Sequence, residues 1–100
     1  MSEDNQIVVP PSFVALFMSP GRLKPTETRD TIAARYELCE DLAQMLTEHA
    51  VERKFELGAA EEDVLERVLA GLATGGVVTE VEALWVIRRL AELLNWRCPF

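Results

Sequence analysis

Apolar positions recur at helical spacing over most of this chain. In the stretch DTIAARYELCEDLAQMLTEHAVERKFELG, Ile32, Tyr36, Cys39, Ala43, Leu46 and Ala50 follow one another at steps of three and four residues, as on one face of an α-helix. Thr26 or Thr28 stands where an N-cap belongs, with Glu27 or Asp30 in the first turn. Gly58 stands where a left-handed residue would end the helix near Leu57. Leu38, Leu42 and Met45 add a second apolar flank, so this long central helix is predicted to bury two sides. Farther along, Val64, Leu65, Val68, Leu69 and Leu72 make a single stripe, preceded by Glu61, Glu62 and Asp63, whose charges oppose the positive end of a helix dipole. Gly75 and Gly76 stop that helix. The last helix opens on Thr79 and Glu82 at capping-box spacing, is apolar nearly all round, and has Asn95 and Pro99 as stop signals.

The N-terminal stretch IVVPPSFVALFMSPGRLKP is apolar and proline-rich. Pro10 and Pro11 suit the first turn of a helix, where their missing N–H groups have no partner to lose, so a turn or two is predicted from about Pro11 to Met18. In SPGR, residues 19–22, Pro20 and Gly21 fit the two central positions of a type II turn. Strand signals are confined to QIVV near the start, which could pair with a partner or lie across the core. These elements predict an all-α fold: an irregular four-helix bundle with a short N-terminal helix, a long central helix and a C-terminal helical hairpin. Residues 1–100 are expected to form a single helical domain, with 1–9 as a partly flexible tail or extended arm.

Composition narrows the function classes. The chain has 100 residues, 49% of them hydrophobic and 27% charged, which suits one globular core. Its 17 acidic and 10 basic residues give a net charge of -7, which a phosphate backbone or an anionic membrane surface would repel. A helix-turn-helix reading of the last two helices is disfavoured, because the recognition helix would begin TEVEALW, where DNA contacts want Lys, Arg, Asn or Gln. The opening MSEDNQ lacks the basic and apolar parts of a secretory signal, and no apolar run approaches the roughly 20 residues that span a bilayer. The expectation is a cytoplasmic protein with neither nucleic acid nor membrane as a partner. Cys39 and Cys98 suit free thiols there.

Candidate chemistry is sparse. Residues 71–82, GLATGGVVTEVE, have a glycine sixth and a glutamate twelfth, in the manner of an EF-hand loop. Positions one, three and five, which should supply oxygens to calcium, are Gly71, Ala73 and Gly75. Glu82 is better explained as the capping partner of Thr79. His49, the one histidine, has no catalytic companions at helical spacing, and Glu61, Glu62, Asp63 and Glu66 diverge around their helix instead of converging on a cation. No catalytic residue, metal ligand or cofactor site is assigned.

Apolar surface points further than any reactive group does. Phe13, Val14, Leu16, Phe17 and Met18, joined to helices apolar on two sides, supply more hydrophobic area than a core of this size needs. The N-terminal arm either closes its own bundle or meets another chain. Trp85 and Trp96, three helical turns apart, are predicted to share a face, with core packing as the default and a partner-facing aromatic edge as the sharper alternative. Phe13, Phe17, Trp85 and Trp96 are therefore the expected partner-binding surface, and the expected partner is a second copy or another protein. The function predicted is a non-enzymatic interaction or regulatory module. The alternative is a small-ligand or divalent-metal-binding helical protein that uses the 71–82 hairpin.

IVVPPSFVALFMSPGRLKP, ARYELCEDLAQMLTEH, EEDVLERV and WVIRRLAELLNW together resemble a family of small proteobacterial proteins over most of the chain. Members are often of unknown function, and some carry the label ATPase with chaperone activity. That label implies a Gly-rich phosphate loop followed by Lys and Ser or Thr. Here Gly75 and Gly76 precede Val77 and Val78, and neither Lys24 nor Lys54 follows such a loop. The resemblance thus implies at most association with a chaperone machine, and no ATPase activity of the chain's own.

Overall fold

The computed structural model describes residues 8–19, 21 and 24–100. The elements in order are α1 (Pro11–Val14), a 3-10 turn (Ala15–Phe17), α2 (Arg29–Leu57), α3 (Glu61–Thr74) and α4 (Glu80–Leu94), with no strand among the described residues. The chain is all-α, with the short first helix, long central helix and C-terminal hairpin that the periodicity predicts. Contacts group it into two compact units, residues 1–38 and 39–100, and α2 runs through both.

In the first unit Pro11 takes the first turn of α1, behind Pro10 in extended conformation. The chain then doubles back: the Thr26 N–H donates to the Phe17 carbonyl at 2.6 Å, and Met18 and Pro25 form an isolated antiparallel bridge. Gly21 has φ +78°, the left-handed value expected of it, while Pro20 and Arg22 of the expected turn lie outside the described residues. So do Gln6 and Ile7 of QIVV; Val8 is exposed and Val9 half-buried. Phe13 is 0% exposed. Its ring lies 5.6 Å from Phe17 and meets Tyr36 edge-on, also at 5.6 Å, the offset geometry that the aromatic quadrupole favours. Thr28 proves to be the cap of α2, its Oγ1 accepting from the Thr31 N–H at 3.2 Å.

In the second unit the latter part of α2, α3 and α4 enclose a core of Ala50, Val64, Leu65, Ile87, Leu90 and Ala91. Ala43 and Ala83 are also fully buried; small side chains at such positions let helix backbones approach closely. Gly58 ends α2 at φ +59°. The capping box of α4 is complete: the Thr79 N–H donates to Glu82 Oε1 at 2.9 Å, and the Glu82 N–H donates to Thr79 Oγ1 at 3.2 Å. At its other end Asn95 turns left-handed at φ +59°, and the N–H groups of Asn95 and Trp96 donate to the Glu92 and Ala91 carbonyls, the paired bonds of a Schellman stop.

One ion pair joins distant parts of this unit. Arg89 grips Glu40 with both arms, Nε to Oε1 at 2.9 Å and Nη2 to Oε2 at 3.1 Å, and Gln44 donates to the same carboxylate at 2.8 Å. The Arg89 hydrogen bond holds the Glu40 carboxyl below its ordinary pKa, and burial opposes this only in part. The Arg89 guanidinium is correspondingly held protonated more firmly, chiefly by Glu40 and then by Glu92. Since the folded pKa of Glu40 lies below the unfolded value of about 4.3, the pair's stabilisation is present above that pH and lost as pH falls through the folded value. A bidentate pair at this degree of burial is worth roughly 1 kcal/mol. Glu40→Gln is therefore expected to be less stable than the wild type by about that amount at pH 7. The difference should shrink toward zero in denaturation series taken to below about pH 4.

Candidate functional site

The apolar surface left exposed lies elsewhere than on the four expected residues. Phe13 and Trp85 are core residues: Phe13 is sealed among aromatic rings, and Trp85, on the inward side of α4, is only 8% exposed. Phe17 is half-buried against Phe13. Trp96 does not share a helical face with Trp85, because the left-handed Asn95 ends α4 one residue before it. Instead Trp96 packs on the core, with Lys54 Nζ 5.6 Å from its ring centroid and held at 2.9 Å by Glu61. The segment beyond it is tied by Arg88 Nε donating to the Phe100 carbonyl oxygen at 3.1 Å. Phe13 and Trp85 therefore leave little apolar area for a partner to meet.

Exposed apolar side chains lie at Val8, at Met18, at Val77 and Val81, and along the outer side of α2, which carries the most exposed of them. Phe55 is 89% exposed and Val51, one turn earlier, 50%. They form a ridge, because residues four apart stack on one helix face. Glu48 and Glu52 lie on the same side by helical phase and are exposed, so the ridge has an acidic border. Met45, expected on a buried flank, is exposed as well. The core side of α2 is taken by Cys39, Ala43 and Ala50, and Met45 points away from that line.

The opposite side of α2 meets α3 along an open groove of about 260 Å³. Its floor is apolar, made by Leu46, Val64, Val68 and Leu72, and its rim carries His49, Arg53 and Arg67. Arg53 reaches Glu56 only loosely, at 3.7 Å, and Arg67 has no hydrogen bond or ion pair among the described residues. Gly71 lines the same groove from the interior of α3, and a Cβ built there would meet nothing within 4 Å. His49 thus lines this groove together with Arg53, one turn along α2, and Arg67 of α3.

For metal chemistry the arrangement offers little. Among the described residues no group of three or more His, Cys, Asp or Glu side chains converges. Glu82, the carboxylate at the twelfth position of the 71–82 hairpin, is 2% exposed and occupied by the capping box, and Glu61 of the acidic cluster is bound to Lys54. No helix among the described residues is long and apolar enough to cross a membrane. Comparison with models of protein families, with curated proteins and with solved structures finds no match to the chain.

Proposed function

We propose that this chain is a non-enzymatic, cytoplasmic interaction module whose contact surface is the outer side of α2, centred on Phe55. The supporting observation is the ridge itself. A phenylalanine nine-tenths exposed beside an exposed valine leaves apolar area in water that the fold does not use, and aromatic side chains are the commonest anchors of protein interfaces. Acidic side chains around it set the character of the partner: an apolar recess bordered by Lys, Arg or His satisfies the ridge and its charges together. The partner is another protein chain, either a second copy or a different protein, and the apolar ridge meets it without any reactive group.

A photo-crosslinking phenylalanine analogue in place of Phe55, incorporated in the cells that make the protein, tests this reading. The same analogue in place of Glu66, an exposed residue of α3, serves as the control. Position 55 is expected to give a discrete covalent adduct to a protein and position 66 none; equal, diffuse labelling from both positions contradicts the proposal.

A further inference from the structure

We infer that the groove between α2 and α3 receives the Phe55 ridge of a second copy of this chain, so that copies join head to tail. This rests on the reading of the ridge as a contact surface and names what that surface meets. The two features match in shape and chemistry. A cavity of about 150 Å³ already admits a benzene ring, so an open groove of about 260 Å³ has room for the Phe55 ring. Its floor of Leu46, Val64, Val68 and Leu72 is the apolar surface such a ring seeks. The charges match as well: Glu48 and Glu52 border the ridge, while Arg53 and Arg67 border the groove in a protein whose net charge is -7.

Alternative pairings of the same surfaces fail on charge. Ridge against ridge sets the carboxylates of one copy against those of the other, and groove against groove does the same with arginines; only ridge in groove brings unlike charges together. Nor can one chain satisfy itself. Phe55 and Arg53 are two residues apart on one helix and so point about 160° away from each other. A contact between two different patches on identical chains is heterologous, and it closes into a ring or extends. Gly71 agrees with this use: glycine inside a helix is unfavourable, no neighbour in the fold demands it, and its missing side chain keeps the groove open.

Complementation between variants tests the inference. Phe55→Lys removes the ridge and keeps the groove; Arg67→Glu reverses the rim and keeps the ridge; Gly71→Leu fills the groove while improving helix propensity. Helicity by circular dichroism shows that each is folded, and sedimentation equilibrium reads association. The wild type is expected to associate, and each variant alone at least roughly tenfold more weakly. An equimolar mixture of Phe55→Lys and Arg67→Glu should recover a two-chain species, because one intact ridge then faces one intact groove. If Arg67→Glu and Gly71→Leu associate like the wild type while Phe55→Lys does not, the groove is not the seat, although the ridge remains a contact surface. A wild type that stays a single chain at every concentration overturns the head-to-tail contact itself.

Discussion

Trp85→Ala is expected to destabilise the fold by about 3–5 kcal/mol, the usual loss when a large aromatic side chain is removed from a core. Trp85 sits on the inward side of α4 beside the buried Val86, and the atoms removed would leave a cavity that neighbouring helices fill only in part. For a chain of 100 residues this is a large share of the whole stability, commonly about 5–15 kcal/mol for a domain. Urea unfolding followed by circular dichroism should show a much lower midpoint with little change in slope. A loss below about 1 kcal/mol would return Trp85 to the surface, as the partner-facing edge that is the alternative to core packing.

Phe55→Lys is expected to do the reverse. Phe55 touches water on nearly all sides, so its replacement should alter stability by no more than about 0.5 kcal/mol. Lysine is a good helix former, its charge suits the last turns of a helix, and Glu52 lies three residues before it. Association should nonetheless fall sharply. Central aromatic anchors contribute about 2 kcal/mol or more, and a cation on the ridge would face a cationic recess, so a loss of roughly thirtyfold or greater is predicted. Unchanged unfolding together with lost association separates Phe55 from Trp85, and that contrast distinguishes a working surface from a structural one.

Local rules of sequence made the elements legible. Gly58, Thr79, Glu82 and Asn95 act where capping chemistry places them, and Thr28 is the one of the two candidates, Thr26 and Thr28, that caps α2, because a cap is decided by neighbours a few residues away. Of the predicted line along α2, Ile32, Cys39, Ala43 and Ala50 are buried and Tyr36 and Leu46 half-buried, since burial on a helix follows its period. The candidate site was not legible in this way. Phe13 and Phe55 are the same residue type on helical segments, yet one is sealed and the other bare; what differs is whether another segment covers them, which is set by tertiary packing. A single residue of backbone decides Trp96: the left-handed Asn95 ends the periodicity that would align it with Trp85. His49, Arg53 and Arg67 border one groove only because α3 folds back on α2. A weak signal for the outer ridge existed in Val51 and Phe55, apolar residues four apart and out of phase with the buried line.

The most direct measurement is the native mass at which the chain travels in an extract of the cells that make it, compared between wild type and Phe55→Lys. The wild type is predicted to migrate well above the 11.2 kDa of one chain, and the variant, equally folded, to fall to that mass. Two identical profiles, whether both single-chain or both assembled, would contradict a contact surface on the outer side of α2.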